Sequence, residues 1–450
     1  MSLIATDQLR VIIGLGQTGL SCARYLARQG LPFVLVDTRD VPPNLEQIKT
    51  EFPAAELHCG ELDVGLLSRA SEILLSPGVA KDQPAIQQAV AAGVKLSGDI
   101  DLFCQAVSAP IVAITGSNAK STVTTLVGQM ALNAGIDTGI GGNLGTPVLD
   151  MLAAGEQDLY VLELSSFQLE TVNDLRASVA TVLNVSPDHL DRYDNNMQLY
   201  YQAKHRIFRG SAQIVINRDD SLTSPLVNKQ VKVSSFGLSR PDLNQFGLLE
   251  KNAEQYLVKG LDPLLRIDEL KTQGQHNIAN ALAALALGDA VNIPMAAMLQ
   301  TLKTFTGLKH RCQWIAEKQG VTFFNDSKGT NVGATVAAID GLAATLADNS
   351  KILLIAGGVG KGAEFSDLNK PLQTAGRALI LIGEDGPVID DAVNCFKGHY
   401  ADSMSEAVKL AADMAQSGDI VLLSPACASF DMFSGFPARG DAFIEAVEAL

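Results

Sequence analysis

The sequence has little positive charge and no long hydrophobic run. Its 450 residues include 34 lysines and arginines against 49 acidic residues, a formal net charge of −15. Nucleic acids and anionic membranes bind basic surfaces, so this balance argues against a general binder of either. No stretch of about 18 uncharged apolar residues occurs, so the sequence predicts no membrane insertion.

Cysteine and tryptophan are also scarce. The six cysteines form no C-x-x-C pair, which in a chain of this length favours reduced, mostly buried thiols. The opening MSLIATDQLRVIIG lacks the basic start and long apolar core of a signal peptide. We therefore expect a cytoplasmic protein, and we assign Cys427 and the single tryptophan, Trp314, to packing.

Short apolar runs alternate with amphipathic stretches along the whole chain, a pattern typical of strand–helix units in largely parallel sheets. Strands are predicted at RVIIGLG, PIVAITGS and VTFFND, among others. Polar joins near SGDIDLF and FTGLKH divide the chain. The sequence therefore predicts three α/β domains, at residues 1–98, 99–307 and 308–450.

The segment VIIGLGQTGL carries a first nucleotide-binding signal. Gly14, Gly16 and Gly19 form G-x-G-x-x-G between a predicted strand and a predicted helix, and Asp37 ends the next strand. Such a turn admits a pyrophosphate to the helix N-terminus, while the acid reaches a ribose hydroxyl. Alone, the pattern favours NAD or FAD, but a tight turn without a ligand and another diphosphate ligand both stay open.

The segment ITGSNAKSTVTTL carries a second signal, a phosphate-binding loop with one letter changed. In this loop the backbone N–H groups would hold phosphate, Lys120 would span the β and γ oxygens of a nucleotide, and Ser121 would ligate Mg²⁺. Ala119 stands where glycine is expected. Alanine is harmless there if its φ is helical, but otherwise it crowds the loop.

Two further residues at predicted strand ends suggest metal chemistry. Glu163 lies near the end of the strand in YVLELSSFQLE, and His189 follows the strand in LNVSPDHLDRY. Ligands of α/β sheets bind at the carboxyl ends of strands. Mg²⁺ prefers oxygen ligands, so Glu163 is the stronger candidate and His189 the less usual one.

Long motifs in a fixed order resemble the Mur ligases, ATP-dependent amide-forming enzymes of peptidoglycan precursor synthesis. The resemblance covers essentially the whole chain and rests on GLGQTGLS, VDTR, TGSNAKSTVTTL, GGNLGTP, YVLELSSFQLE, LNVSPDHLDRY, GQHNIANALAAL, NDSKGTNVGAT and LLSPACASFDMF. It implies a Rossmann-like N-terminal domain that binds a UDP-substrate in place of NAD, a P-loop ATPase-type central domain and a Rossmann-like C-terminal domain.

The same resemblance implies three sets of binding residues. For the UDP-substrate they are Gly14, Gly16, Gln17, Thr18, Asp37, Thr38, Arg39, Ser76, Pro77, Gly78, Asn143, Gln168 and His189. For ATP they are Gly116, Ser117, Asn118, Ala119, Lys120, Ser121, Thr122, Asn277, Arg311 and Asp326. For an incoming D-glutamate they are Lys328, Thr330, Lys361, Ser429 and Phe436, with Asn331 nearby.

The implied reaction adds D-glutamate to UDP-N-acetylmuramoyl-L-alanine through an acyl phosphate and a tetrahedral intermediate. Catalytic roles fall to Lys120, Glu163, His189 and Lys204, and metal binding to Ser121, Glu163, His189 and Lys204. The resemblance implies two Mg²⁺ ions and a carbamylated Lys204. From its neighbours alone, Lys204 would be a basic residue on an exposed helix face. We also expect a monomer.

Two departures from the family pattern bear on activity. Ala119 replaces the loop glycine, and Val359 replaces an acid in GGVGK, so we expect Lys361 to lack a nearby partner. We interpret the chain as an active ligase. The alternatives are a sister or folate-type ligase, an NAD-dependent oxidoreductase, and a catalytically silent UDP-sugar binder.

Overall fold

The computed structural model describes residues 9–226, 230–272 and 274–450. Residues 1–8, on which part of the signal-peptide expectation rests, lie outside the described residues. The chain divides into two compact units. One unit runs to Asn184 and includes Gln198–Phe236 and Ala283–Thr301; the other consists of Val185–Met197, Gly237–Leu282 and Leu302–Leu450.

The first unit begins with a five-stranded parallel sheet in the order β3-β2-β1-β4-β5. Its apolar strands are buried and pack with flanking helices around Val11, Ile13 and Val36. The strands are β1 Arg10–Ile13, β2 Phe33–Asp37, β3 Leu57–Cys59, β4 Glu72–Leu75 and β5 Lys95–Ser97. The helices are α1 Gln17–Arg28, α2 Leu45–Glu51, α3 Val64–Ser68, α4 Pro84–Ala91 and α5 Asp99–Ala106.

A second sheet of six parallel strands follows, in the order β11-β10-β9-β6-β8-β7. Its strands are β6 Ile111–Thr115, β7 Thr138–Gly142, β8 Leu159–Glu163, β9 Val179–Val182, β10 Gln213–Asn217 and β11 Lys232–Phe236. The helices are α6 Lys120–Asn133, α7 Val148–Ala153, α8 Ser166–Leu169 and α9 Met197–His205. Central strands β6 and β8 are buried along their whole length, as parallel strands covered on both faces should be.

A small antiparallel sheet and two helices precede the C-terminal region. The strands are β12 Phe246–Lys251, β13 Glu254–Lys259 and β14 Asp262–Arg266, and the helices are α10 Gln275–Ala290 and α11 Met295–Thr304. In the described residues, no helix is long and apolar enough to cross a bilayer.

The C-terminal sheet has the order β15-β16-β20-β17-β18-β19, and only its edge pair β15–β16 is antiparallel. Its strands are β15 Gln313–Lys318, β16 Val321–Asn325, β17 Ile352–Gly357, β18 Gly376–Ile382, β19 His399–Tyr400 and β20 Ile420–Leu423. The helices are α12 Val332–Ala343, α13 Asn369–Ala375, α14 Gly386–Ala392, α15 Met404–Met414 and α16 Phe436–Glu448. Hydrophobic clusters cover both faces, and the predicted α/β class is confirmed.

Two packing predictions have different outcomes. Cys427 is fully buried in the C-terminal core, as predicted. The prediction for Trp314 is wrong, because its side chain is 59% exposed. Trp314 lies on edge strand β15, which pairs with a neighbour on one side only.

Candidate active site

A cavity of about 480 Å³ opens at the carboxyl ends of the first sheet. It gathers eleven residues that the sequence assigned to the UDP-substrate: Gly14, Gly16, Gln17, Thr18, Thr38, Arg39, Ser76, Pro77, Gly78, Asn143 and Gln168. The sequence reasoning missed four others that line it, namely Val79, Gly142, Gly145 and Pro147. The cavity therefore joins the glycine-rich turn of the first sheet to the GGN segment of the second.

Gly14 and Gly19 of this turn lie where a side chain would collide with neighbouring atoms. Gly14 has φ +93, and a Cβ there would lie 2.9 Å from the Cβ of Ser76. A Cβ on Gly19 would lie 2.0 Å from the carbonyl oxygen of Gly14. Ser76 also donates its hydroxyl to that oxygen at 2.6 Å. The turn is therefore shaped for close helix–strand packing, with the N-terminus of α1 at the cavity.

Asp37 is engaged by protein groups. Its carboxylate accepts the Nε of Arg39 at 2.8 Å, the Nη2 of Arg39 at 2.7 Å and the backbone N–H of Leu15 at 2.7 Å. Burial alone would raise the pKa of Asp37, but the Arg39 guanidinium and the backbone amides outweigh it and hold the pKa below its usual value. A carboxylate fixed in this way orients Arg39, which lines the cavity with Thr38, whereas Asp37 itself is not among the lining residues.

Behind the cavity wall, Asp99 is almost fully buried beside Gln168. Burial raises the pKa of Asp99 to about 6. In the native state the carboxyl of Asp99 therefore stays protonated up to about pH 6, whereas in the unfolded state it loses its proton near pH 4. As a result, the free energy of unfolding falls as the pH rises from about 4 to about 6.

The variant Asp99→Asn is therefore expected to be more stable than the parent at pH 7.5, by about 2 kcal/mol. The stability difference should shrink as the pH falls towards 5, because the parent carboxyl then becomes protonated. Urea unfolding of both proteins across this range measures it. A difference that stays constant with pH would contradict the assignment.

The phosphate-loop segment lies between β6 and α6, and Asn184 braces it. Asn184 accepts the N–H of Ser117 on its carbonyl at 2.9 Å and the N–H of Asn118 on its side chain at 2.8 Å. Its Nδ2 donates back to the carbonyl of Asn118 at 3.2 Å. Sequence reasoning missed this residue, although it lies within the quoted motif LNVSPDHLDRY.

Ala119 does not have a helical φ. It is the N-cap of α6 with φ +66 and ψ −4, in the left-handed region. The alternative in which alanine is harmless is therefore wrong. A Cβ in this region is strained by roughly 1–2 kcal/mol.

Ala119→Gly is expected to raise the free energy of unfolding by about 1 kcal/mol, because glycine adopts this φ without strain. Urea denaturation measures the change. The matched control is Ala337→Gly at an exposed position within α12, which should lower stability by up to about 1 kcal/mol. Equal signs for the two variants would refute the strain at Ala119.

Glu163 forms a buried cluster with two residues of neighbouring segments. Its Oε2 accepts the hydroxyl of Ser121 at 2.6 Å and its Oε1 accepts the Nδ2 of Asn143 at 2.8 Å. The carboxylate thus connects the first turn of α6 with an amide that lines the cavity. A buried carboxylate and a hydroxyl beside a phosphate loop form a donor set that fits Mg²⁺.

Two lysine ammoniums converge on one loop oxygen. Lys120 donates to the carbonyl of Gly116 at 2.8 Å, and Lys204 donates to the same oxygen at 2.8 Å. Lys204 is 2% exposed, so the interpretation of an exposed helix face is wrong. Its Nζ lies 4.4 Å from the ring centroid of Tyr200, whose hydroxyl is 3.0 Å from the Oγ of Ser117. The loop therefore concentrates positive charge in a water-poor site, as an anion requires.

The predicted metal ligands lie in both units. Ser121, Glu163 and Lys204 belong to the first unit and His189 to the second. His189 has φ +53, and its Nε2 lies 3.6 Å from Asp188. Within the described ranges, no group of three or more histidine, cysteine or acidic side chains is arranged to hold a metal ion.

In the second unit, Asp326 follows β16 and accepts the hydroxyl of Ser424 at 2.7 Å and the N–H of Cys312 at 3.1 Å. Burial raises its pKa to about 7, although Ser424, Cys312 and Arg311 oppose this. Asn277 lies in the first turn of α10, where its side-chain oxygen accepts the Nδ2 of Asn280 at 3.4 Å. The ATP roles of Asn277, Arg311 and Asp326 stay predictions.

Hydrogen bonds bring together the loops that carry the five predicted D-glutamate residues. Val359 and Ala428 exchange backbone hydrogen bonds at 2.9 and 2.8 Å, which joins the loop of Lys361 to that of Ser429. Lys328 places its Nζ 4.3 Å from the ring centroid of Phe436. Thr330 follows Lys328 on the same loop, whose Ser327 donates to the carbonyl of Phe436 at 2.8 Å.

Arg439, which sequence reasoning missed, holds these loops from inside. It is 1% exposed and donates to Ser327 and to the carbonyls of Gly357, Cys427 and Ala428. Burial lowers the pKa of its guanidinium to about 10. A single buried cation thus fixes three loops against one another.

The expectation that Lys361 lacks a nearby partner is wrong. Its Nζ lies 3.2 Å from the Oδ1 of Asp188, a residue 173 positions earlier in the chain. Although Val359 carries no charge, Lys361 thus has an acidic partner from a distant segment of the chain. Asp188 also accepts the Nδ2 of Asn331 at 3.3 Å.

The fold and these sites define an α/β protein with a glycine-rich cavity on its first sheet and, on its second, a loop with the sequence pattern of a phosphate-binding loop. Family models agree with this class: Mur ligase MurD-like, N-terminal domain over residues 8–98, Mur ligase middle domain over 114–288, and Mur ligase, glutamate ligase domain over 310–427. The chain belongs to the Mur ligase family.

Curated relatives match over the full length. The UDP-N-acetylmuramoylalanine--D-glutamate ligase of Pseudomonas aeruginosa is 55% identical over 100% of both chains. The ligase of the same name from Nitrosococcus oceani is 51% identical over 98% of this chain and 96% of its own. The chain is therefore a ligase of this family.

Solved structures agree in fold. MurF ligase of Thermotoga maritima in complex with ADP has a TM-score of 0.59 and 15% identity, covering 100% of this chain and 99% of its own. UDP-N-acetylmuramate-alanine ligase MurC of the same organism has a TM-score of 0.59 and 19% identity, covering 98% and 99%.

Proposed function

We propose that this chain uses ATP to join D-glutamate to UDP-N-acetylmuramoyl-L-alanine. The observation that carries the proposal is the full-length 55% identity to a ligase named for this reaction. The cavity on the first sheet supports it, because eleven of the thirteen residues that the family resemblance assigns to the UDP-substrate line it. The full-length match to curated ligases argues against the oxidoreductase alternative.

The predicted site residues would have separate roles in this reaction. A free carboxylate is a poor acyl donor, so ATP would first phosphorylate the terminal carboxylate of the UDP-substrate, and the amine would then displace phosphate. Lys120 would neutralise phosphate oxygens, and the backbone N–H groups of the loop would bind them. Ser121 and Glu163 would hold Mg²⁺, which supplies charge neutralisation when bound. Asn277, Arg311 and Asp326 would bind ATP.

Lys204 supports the proposal through its burial. An uncharged amine that reacts with CO₂ gains a carboxylate and releases a proton, which would turn the cation into an anionic ligand. Burial favours the uncharged form of an amine, and so does a neighbouring ammonium such as Lys120. We therefore include carbamylation of Lys204, two Mg²⁺ ions and a monomeric cytoplasmic enzyme in the proposal.

Phosphate release from ATP tests the proposal. With UDP-N-acetylmuramoyl-L-alanine present, release should require D-glutamate and be accompanied by the ligated product in mass spectra. Equal release with L-alanine or a diamino acid would indicate a sister ligase, and binding of the UDP-substrate without release would indicate a silent binder. An NADH fluorescence change on mixing would favour an oxidoreductase.

A further inference from the structure

Asp188 and Lys361 form an ion pair at the loops proposed to bind D-glutamate. The Nζ of Lys361 lies 3.2 Å from the Oδ1 of Asp188, and both side chains are partly buried, at 21% and 10% exposure. The other oxygen of Asp188 accepts the Nδ2 of Asn331 at 3.3 Å and lies 3.6 Å from the Nε2 of His189. The carboxylate is thus held in place and still reaches solvent.

The two residues that contact the Asp188 carboxylate from other loops, Asn331 and Lys361, are each held in place by local hydrogen bonds. Asn331 caps α12, because its side-chain oxygen accepts the N–H of Ala334 at 2.9 Å, and this orients its Nδ2 towards Asp188. Lys361 has φ +54 and lies on the loop joined to Ser429 through Val359 and Ala428. The pair therefore has a set position beside the predicted contacts of the incoming amino acid.

The pair is complementary to an amino-acid zwitterion. A zwitterion carries an ammonium and a carboxylate on one carbon, and Lys361 and Asp188 present the opposite charges side by side. A carboxylate has about four acceptor positions and an ammonium three donors, so an ion pair of this kind can stay intact while each partner also binds the opposite charge of a ligand. A zwitterion can therefore bind side-on, with its charges alternating with those of the pair, while the pair stays intact.

We propose that Asp188 binds the α-ammonium of the incoming amino acid while Lys361 binds its carboxylate. The inference rests on the proposed function and adds to it the group that recognises the amine. Asp188 would orient the nitrogen that becomes the amide nitrogen and would select amino acids over dicarboxylates that lack an amine. Val359, where an acid was expected, is not needed for this role.

The test compares D-glutamate with glutarate, the same dicarboxylate without an amine. In Asp188→Asn, the KM of D-glutamate should rise about 30-fold, as expected for a lost charge-assisted hydrogen bond. The inhibition constant of glutarate should stay within about 3-fold or fall, so the preference for the amine-bearing ligand collapses. Both ligands are compared at saturating ATP and UDP-substrate, because Asp188 lies 3.6 Å from His189, which is predicted to bind the UDP-substrate. The amine-dependent difference is then read separately from any change at His189.

Three further variants make the result decisive. Lys361→Met should weaken D-glutamate and glutarate equally, because it removes the carboxylate contact common to both. Asp188→Glu keeps the charge and should recover part of the preference. Asp348→Asn, at an exposed aspartate of the same unit, should change neither ligand. If Asp188→Asn does not turn over, ligand-induced thermal shifts with ADP and UDP-substrate present give the same comparison.

A parallel loss of D-glutamate and glutarate binding in Asp188→Asn would overturn the inference, since Asp188 would then only hold Lys361. An unchanged KM of D-glutamate would overturn it as well. Absence of D-glutamate-dependent release in the parent enzyme would instead contradict the proposed function, so the two failures are distinguishable.

Discussion

Replacing Glu163 by glutamine is expected to lower the rate of D-glutamate-dependent phosphate release by about 10³-fold. Glutamine keeps the size of the side chain and can still accept the Nδ2 of Asn143, which donates to Oε1 at 2.8 Å. The hydroxyl of Ser121 can rotate to accept the new amide. What is lost is the negative charge beside the phosphate loop, and with it the strongest predicted Mg²⁺ ligand of the first unit.

Steady-state kinetics across a Mg²⁺ titration measure the effect. The variant should need more Mg²⁺ for half-maximal rate, and its thermal midpoint should remain close to that of the parent. Glu46→Gln, at an exposed position on α2, serves as the control and should leave rate and Mg²⁺ dependence unchanged. An unaltered rate in Glu163→Gln would exclude Glu163 from the metal site.

Local motifs predicted the parts of the site that depend on consecutive residues. The glycine-rich turn and the VDTR and SPG segments identified most of the cavity lining, because each follows a strand of the first sheet and the carboxyl ends of these strands lie at one edge. The GGN segment, at the carboxyl end of β7 in the second sheet, supplies a further part of the lining. The phosphate loop was predicted for the same reason. The ligand of the glycine-rich turn at Gly14 stayed ambiguous, because a site for a pyrophosphate does not specify the rest of the ligand.

Features that depend on tertiary contacts could not be predicted. The partner of Lys361 lies 173 positions away, so no local pattern could indicate Asp188. The exposure of Trp314 depends on the edge position of β15, which follows from strand order. The positive φ of Ala119 occurs in a loop whose Asn118 is held by Asn184, 66 positions later in the chain. Burial of Lys204 likewise arises from packing against the loop, and residue type alone suggested the opposite.

Lys204→Arg is expected to abolish ligation, with a loss of about 10³-fold in rate, although the positive charge is kept. Arginine stays protonated and therefore cannot form a carbamate with CO₂. The ammonium of Lys204 donates to the carbonyl of Gly116 at 2.8 Å, and a guanidinium can also donate there. If Lys204 acted only as a cation, arginine would preserve much of the rate.

Two measurements separate a carbamate from a simple cation. In ¹³C-bicarbonate, the parent should show a carbamate carbon resonance that Lys204→Arg lacks, and the parent rate should fall when CO₂ is removed and recover when bicarbonate is returned. Lys409→Arg, at an exposed position on α15, should keep both signals. A parent rate that is independent of CO₂, together with an active Lys204→Arg, would show that the two ammoniums at Gly116 act as cations and that the site gains no second anionic ligand.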